Sequence, residues 1–313
     1  MPKDNIASRN MVMVDISAQM VKELRDKSGA AMMDCKKALV EASGDSEKAF
    51  EILRQKGVAT ANKKSSRTAS EGLVVGQIAK DGKTGALIEV NCETDFVARN
   101  EEFVQLTKDL AEAALSSKSA SVDALNKQPI KGTTVAEHVT AVIAKTGENI
   151  IIRRAALEDL NGKEGVIGIY VHALGGKMGA IVAIEADKKI DLEKGAALGR
   201  DIAMHVVSAK PQYVSKNDIP AETIENERRI EAGKQDLAEK KPEMREKIVQ
   251  GRIDKIFAER CLNEQQFVKD PTQSVSKHLA QISTELGAKL EVKSFSLFIL
   301  GETQAESNGK GDE

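Results

Sequence analysis

The chain of 313 residues repeats part of its own sequence, and this repeat constrains the fold more than any other feature. The segment Gly85-Ala-Leu-Ile-Glu-Val90 aligns with Gly179-Ala-Ile-Val-Ala-Ile184, which lies 94 residues further along the chain. In each copy a strand pattern and a Gly-containing turn come before this segment, and an apolar helical pattern follows it. The flanking patterns are Leu73 to Ile78 and Val166 to His172 for the strands, and Phe103 to Leu115 and Leu198 to Val207 for the helices. Each copy is therefore predicted to open as a β-hairpin followed by a helix.

The two copies also close alike, but with a different spacing. A helix from Val135 and a strand after Gly147 match a helix from Val275 and a strand after Gly287, which lie 140 residues further along. The second copy therefore holds 46 more residues than the first. This excess is charged and carries apolar residues at helical spacing, so residues 214–260 are predicted to form an antiparallel helical hairpin. Its first helix is expected to begin at Pro220 and carry Ile224, Ile230 and Leu237, and its second to restart at Pro242 and carry Met244, Ile248, Ile253 and Ile256.

The residues before the repeat are predicted to form three helices. Ser17 is expected to cap the first, which stops at Gly29, and the second begins near Met32. Asp45 or Ser46 is expected to cap the third, which ends at Gly57. The basic, Ser-rich stretch Asn62 to Ser70 is interpreted as a solvated linker.

The second of these helices carries two adjacent methionines, Met32 and Met33. Both could be core residues. A helix buries only one face, however, so at least one of two neighbours is expected to point outward, where flexible Met suits a partner surface.

Composition narrows the classes of function. Aromatic residues make up only 3% of the chain and Trp is absent, which argues against single-strand nucleic-acid binding by base stacking. A formal net charge of −2 removes the general attraction to a phosphate backbone. The chain has no apolar run of membrane-spanning length, and its three cysteines include no CxxC pair. We therefore expect a cytoplasmic protein of two or three domains with reduced cysteines and no bound metal or cofactor.

The segment Thr94-Asp95-Phe96-Val97 follows the strand of the first repeat directly. Asp95 is a candidate N-cap, which would place Phe96 in the first turn of the following helix. A Phe at such a junction either closes the local core or is presented for a function.

Two other classes of function deserve comparison. An enzyme would use Cys92 as nucleophile and His172 or His205 as base, but no Gly signature of an oxyanion site stands beside Cys92. An adaptor that binds ubiquitin or RNA would use the N-terminal helices, yet neither the low aromatic content nor the insertion favours it.

Four motifs together resemble the bacterial translation elongation factor Ts family. They are Met32-Met33-Asp34-Cys35-Lys36-Lys37, Glu89-Val-Asn-Cys92 followed by Thr94 to Val97, Ile202-Ala-Met-His-Val206, and Lys210-Pro211. The resemblance runs from about Met13 to Gly301. It implies an α+β fold, with an N-terminal three-helix ubiquitin-associated-like domain and two related α+β subdomains of antiparallel sheet plus helices. An antiparallel helical hairpin is inserted in the second subdomain.

The expected domain boundaries combine this resemblance with the repeat. They are a flexible extension at 1–13, the three-helix domain at 14–65, a linker at 66–72, the first core subdomain at 73–158, the second at 159–213 and 261–301, the hairpin at 214–260, and a flexible polar tail at 302–313. Some family members carry a further helix where this chain has its polar tail, so contacts from such a helix are not carried over.

The resemblance also implies a function that is not enzymatic. The chain is expected to be a guanine-nucleotide exchange factor that binds the GDP form of elongation factor Tu, displaces its magnesium and promotes GDP release so that GTP can bind. Direct binding of nucleotide, nucleic acid or membrane is not expected. The implied partner-binding residues are Thr94, Asp95, Phe96 and Val97 for magnesium displacement and GDP release, and Met32, Met33, Lys36, His172 and Val268 for other contacts, with further contacts from the hairpin.

Overall fold

The computed structural model describes residues 15–173, 175–237 and 240–302. The expected extension 1–13 and all but the first residue of the expected tail 302–313 lie outside the described residues. Of the described residues, one compact unit comprises those up to Thr68 together with Ala136–Ile150, and the other comprises Ala69–Val135 together with those from Ile151 onward.

The described residues form an α+β structure, as predicted. The helices are α1 (Ala18–Ser28), α2 (Met32–Glu41), α3 (Ser46–Lys64), α4 (Asp95–Ala98), α5 (Glu101–Ser117), α6 (Val122–Asn126), α7 (Val135–Thr146), α8 (Leu192–Ala209), α9 (Ala221–Ala232), α10 (Pro242–Arg260) and α11 (Val275–Leu286). The strands are β1 (Glu71–Ile78), β2 (Thr84–Cys92), β3 (Pro129–Ile130), β4 (Thr133–Thr134), β5 (Ile151–Asp159), β6 (Glu164–Val171), β7 (Met178–Ala186), β8 (Gln266–Phe267), β9 (Asp270–Ser274) and β10 (Leu290–Ile299). No helix in the described ranges is long and apolar enough to cross a membrane.

In the first unit, α1, α2 and α3 enclose a small core with buried Leu24, Cys35 and Leu39. The caps follow the sequence prediction, since the Ser17 side chain accepts a hydrogen bond from the Met20 amide and Gly29 ends α1 in the left-handed conformation. Asp45 caps α3 by accepting from two backbone amides of its first turn.

The predicted end of α3 at Gly57 is wrong, because the helix continues to Lys64. Gly57 is buried, and a side chain there would meet Thr140 and Ala144 of α7. The Lys64 ammonium also donates to the Gly147 carbonyl beyond the end of α7. Packing against α7 thus outweighs the poor helix propensity of glycine. The first three residues of the stretch interpreted as a linker are therefore helical.

In the second unit, the predicted repeat is present as two three-stranded antiparallel sheets with the same topology. The strand orders are β1-β2-β5 and β6-β7-β10, with the second strand of each hairpin at the centre. Strands β2 and β7 are 94 residues apart, and helices α7 and α11 are 140 residues apart. The short pairs β3-β4 and β8-β9, which the sequence analysis did not predict, precede those two helices in the same places.

The two sheets share an apolar layer that includes Val74, Leu87, Ile167, Ile181 and Phe298. A second core, which includes Val182, Ile202 and Val206, lies between the β6-β7-β10 sheet and α8. A side chain added at Gly168 would lie 2.1 Å from the backbone of Gly199, so these two glycines allow α8 to rest directly on β6.

Helices α9 and α10 occupy the predicted insertion and pack around Ile219, Leu237, Ile253 and Phe257. They run antiparallel, since Arg260 at the end of α10 pairs with Glu227 at 3.0 Å, while Arg252, which precedes it on α10, pairs with Glu231, which follows Glu227 on α9. The first predicted helix is shorter than expected, because α9 ends at Ala232 and Leu237 lies in a separate 3-10 turn.

Backbone hydrogen bonds tie the two ends of the insertion together. The Leu262 amide donates to the Tyr213 carbonyl at 2.8 Å, and the Gln212 amide donates to the Arg260 carbonyl at 2.8 Å. The chain thus leaves and re-enters the rest of the second unit at one point.

Candidate partner-binding site

The segment Thr94 to Val97 forms a one-turn helix at the end of β2. Thr94 is the N-cap, and its hydroxyl accepts from the Val97 amide at 3.3 Å. The prediction that Asp95 is the cap is wrong: Asp95 is the first helical residue, and its carboxylate accepts from the Arg99 guanidinium at 2.9 Å. Thr94 rather than Asp95 caps the helix, because its extended backbone precedes the turn and directs its hydroxyl at the Val97 amide.

Phe96 projects from this turn into solvent. Its relative exposure of 83% is the highest among the exposed large apolar residues of the described chain. Ala98, two residues later, is buried and holds the other side of α4 against the unit. The reading of Phe96 as a core residue is therefore wrong.

A buried polar network fixes the strand that leads to α4. The fully buried side chains of Glu89 and Arg154 form an ion pair at 2.7 Å between β2 and β5. Arg154 also donates to the Ile299 carbonyl at 2.9 Å, and Glu89 accepts from the Gly301 amide at 3.0 Å. The network thus joins β2 to the end of β10. Asn91 extends it toward α4 by donating to Glu89 at 3.3 Å and to the Glu71 carbonyl at 3.4 Å.

His172 lies at the same end of β1 as α4. It follows β6, its amide donates to the Met178 carbonyl at 2.8 Å, and its Nδ1 lies 3.2 Å from the Tyr170 hydroxyl. In the same hairpin turn, Lys177 pairs at 2.7 Å with Glu71, which stands opposite Cys92 in the β1-β2 register. Since Cys92 lies three residues before the start of α4, the tertiary structure brings the His172 turn and α4 to one edge of the second unit.

Val268 lies in the tight turn between β8 and β9 and is partly exposed. Its amide donates to Nδ1 of His205, which is fully buried on α8. Beneath the turn, Phe267 is buried and stacks on the His278 ring with centroids 4.2 Å apart. The sequence analysis predicted neither the hydrogen bond from Val268 to His205 nor the stacking of Phe267 on His278. The residues involved lie on the β8-β9 hairpin, α8 and α11, which are far apart in the sequence.

In the first unit, the α2 surface presents Met32, Met33, Lys36 and Val40 on one side of the helix. Met32 and Met33 are 55% and 63% exposed, so the alternative that both are core residues is wrong. A shallow groove on this side is lined by Met33, Lys36, Lys37, Val40 and Glu41. The opposite side of α2 supplies the buried residues of the three-helix core.

The residues of the enzyme hypothesis do not form a catalytic group. Cys92 is fully buried, and its thiol donates to the Thr94 carbonyl at 3.2 Å. A hydrogen bond joins His172 to Tyr170, and another joins His205 to Gln265. A buried thiol cannot attack a substrate from solvent. Among the described residues, no cluster of His, Cys, Asp and Glu could hold a metal ion.

Comparison with known proteins identifies similar chains. A family model described as Elongation factor TS matches residues 93–302, about two thirds of the chain. The curated Elongation factor Ts of Syntrophotalea carbinolica is 46% identical over 289 residues, which cover 92% of this chain and 93% of the relative. The Elongation factor Ts of Clostridium kluyveri is 46% identical over 92% of this chain and 93% of the relative. That of Nostoc sp. (strain PCC 7120) is 45% identical over 95% of this chain and 96% of the relative. The similarity thus extends over nearly the whole length of each protein.

Proposed function

The chain belongs to the elongation factor Ts family, the guanine-nucleotide exchange factors of elongation factor Tu in translation elongation, and we propose that Phe96 is its exchange element. In this proposal the protein binds the GDP form of elongation factor Tu, and α4 enters beside the nucleotide site. Phe96 then displaces the elements that hold magnesium and phosphate, so that GDP leaves and GTP can bind. The observation that carries the proposal is the exposure of Phe96 on an otherwise anchored turn.

The energetics favour Phe96 as a wedge. Burying a Phe side chain against an apolar gap of the partner gains about 1.5–3 kcal/mol relative to leaving it in water. The turn loses little conformational freedom on binding, because the Thr94 cap and buried Ala98 already hold it. Most of the gain is thus available to distort the partner.

Asp95 has a separate proposed role. In the free protein its carboxylate pairs with Arg99, whose side chain is largely exposed. An exposed ion pair of this kind is worth only about 0–1 kcal/mol, so Asp95 can exchange Arg99 for a donor on the partner at small cost. Asp95 would then fix the direction from which Phe96 enters.

The remaining implied contacts supply affinity rather than exchange. His172 shares the edge of the second unit with α4 and would extend the contact around Phe96. On the first unit, Met32 and Met33 offer flexible apolar surface with Lys36 beside them, a combination suited to a docking site. Val268 would make a further contact from the β8-β9 turn.

Exchange of this kind needs no acid, base or nucleophile from the chain. Bound GDP is held mainly through its phosphates and their metal ion, so moving the elements that position them weakens several contacts together. The coupling is reciprocal: if the factor weakens nucleotide binding, nucleotide must weaken binding of the factor to the same extent.

The test is the release of a fluorescent GDP analogue from elongation factor Tu, measured by stopped flow with wild-type protein and with Phe96→Ala. We expect the variant to keep its melting temperature and to lose most of the stimulated release. Leu192→Ala is a matched control, because Leu192 is another exposed apolar residue at a helix start in the same unit but is not part of the proposed surface. A folded Phe96→Ala protein that releases GDP as fast as wild type would refute the role of Phe96.

A further inference from the structure

His205 is a fully buried, titratable side chain that the proposed exchange mechanism does not use. It lies on the face of α8 that packs against the β8-β9 turn, with its ring 5.9 Å from that of Phe267. In the first copy of the repeat the buried positions of α5 match those of α8 at a spacing of 92 residues, which pairs His205 with Ala113, also buried. The repeated architecture therefore does not require an imidazole at this position.

Hydrogen bonds around His205 determine which nitrogen carries the proton. The Val268 amide is a donor and lies 3.1 Å from Nδ1, so Nδ1 must be an unprotonated acceptor. On the other side, Nε2 lies 3.0 Å from Oε1 of Gln265. The amide of Gln265 is oriented by its own nitrogen, which donates to the carbonyls of Glu259 at 2.8 Å and Ala209 at 3.4 Å. Nε2 of His205 therefore carries the proton and donates to Gln265.

This arrangement is compatible only with neutral imidazole. In the imidazolium ion both nitrogens are donors, and Nδ1–H would face the N–H of Val268. Burial lowers the pKa of His205 below its usual value, opposed in part by the hydrogen bond to Gln265. The ring is thus neutral at neutral pH, and the bond that restrains the Val268 turn is intact.

Other charged groups lie on the elements packed around this site. The same turn is tied to α8 by Lys269, whose ammonium lies 2.8 Å from Asp201. Burial also lowers the pKa of His278, whose ring stacks on Phe267. Charged and titratable residues of these elements include Arg200 and Asp201 on α8, Lys269 and Asp270 in the turn, Lys277, His278 and Glu285 on α11, Glu259 and Arg260 at the end of α10, and Cys261 and Glu264 in the segment that follows.

We propose that neutral His205 is a positioning residue that holds the Val268 turn in the conformation that contacts the partner, and that its protonation releases the turn and weakens the complex. The inference rests on the proposed function, in which Val268 contacts elongation factor Tu. It adds a pH-sensitive element, remote from Phe96, that acts on affinity rather than on the exchange step.

Two substitutions separate the two nitrogens of the ring. His205→Asn keeps an oxygen near the position of Nδ1 that can accept from the Val268 amide, and it cannot titrate. His205→Gln reaches toward Gln265 but leaves the Val268 amide without its acceptor. Both variants lose the packing of the ring, so the difference between them reports on the bond to Val268 rather than on the volume of the side chain.

The first measurement uses the isolated protein and hydrogen exchange at the Val268 amide, from about pH 8 to about pH 4, a range that extends well below the usual pKa of His. After correction for the intrinsic pH dependence of exchange, protection in the wild type should fall as the pH falls. Protection should be low at every pH in His205→Gln and independent of pH in His205→Asn. Constant protection in the wild type over this range, or full protection in His205→Gln, would overturn the proposal.

The second measurement is the affinity for GDP-bound elongation factor Tu over the same pH range. We expect His205→Gln to bind about 3- to 10-fold more weakly than His205→Asn at neutral pH, the effect of one net hydrogen bond. The wild type should lose affinity in acid relative to His205→Asn, a comparison that cancels titration of the partner. His278→Phe keeps a ring on Phe267 and should retain the wild-type pH profile.

Equal affinities of His205→Gln and His205→Asn, combined with different protection at Val268, would overturn the positioning role. If the wild type binds no elongation factor Tu at all, the proposed function is refuted, and with it the claim that His205 controls affinity for that partner. Hydrogen exchange at the Val268 amide distinguishes this failure from failure of the inference about His205, because it tests the hydrogen bond between His205 and Val268 in the absence of a partner.

Discussion

The ion pair between Glu89 and Arg154 should be the most sensitive polar contact of the second unit. Both side chains are fully buried, and Arg154 has its guanidinium 4.3 Å from the centre of the Phe298 ring. Arg154→Met keeps the apolar stem but leaves Glu89 as a buried carboxylate without its cation. Breaking a buried pair in this way costs about 3–5 kcal/mol.

The double variant Glu89→Leu with Arg154→Met tests the reasoning more sharply. It removes both charges but leaves the Gly301 amide and the Ile299 carbonyl without these partners, each costing about 1–3 kcal/mol if they stay buried. We therefore expect the double variant to lose about 2–6 kcal/mol, although the two single substitutions would sum to about 6–10 kcal/mol. The interaction energy between the two sites should thus be large and favourable.

The assay is native-state hydrogen exchange at the amides of β2 and β5, which gives the free energy of opening of these strands in the intact protein. Arg153→Met is a matched control, since Arg153 is the neighbouring residue on the same strand and is exposed. It should change the opening free energy by less than about 0.5 kcal/mol. A loss below about 1 kcal/mol for Arg154→Met, or strict additivity of the two single substitutions, would refute the argument.

Three further predictions concern the exposed turn, the insertion and the histidines. Phe96→Ala should change the free energy of unfolding by less than about 0.5 kcal/mol, whereas Phe103→Ala, at a buried position, should cost about 3–5 kcal/mol. Thermal melts of both variants test this, and a strongly destabilised Phe96→Ala would contradict the exposed position of Phe96. Replacing residues 215–259 with a short flexible loop should leave the second unit folded, because its two ends are already hydrogen-bonded together; loss of cooperative melting would show that the helical pair is needed for folding. Burial lowers the pKa of His278, so the unfolded chain binds the proton more readily; stability from this group is present above about pH 6.5 and is lost as the pH falls through the lowered folded pKa. The melting temperature of the wild type should therefore fall relative to that of His278→Phe as the pH decreases through this range, and parallel curves would exclude the contribution.

Sequence patterns determined the architecture of the repeat because the relevant signals are local. Alternating and helical periodicities depend on neighbouring residues, so the strands at Gly85 and Gly179 and the helices after them could be located without tertiary information. Cap residues act within one turn, which is why Ser17 was identified and the cap of α3 was narrowed to Asp45 or Ser46, of which the structure selects Asp45. The family motifs likewise single out Phe96 without tertiary information.

The tertiary structure decided what depends on residues far apart in the chain. Helix α3 passes Gly57 because α7, some 80 residues later, packs against it. Glu89 and Arg154 lie on two different strands, and the inserted helices α9 and α10 separate His205 from Val268 in the sequence, so no local sequence pattern predicts either contact. Which side of α2 is buried also follows only from the helices around it. Local periodicity specifies which elements form, but burial and hydrogen-bond partners are fixed when distant elements pack together, and these decide which side chains remain free to meet a partner.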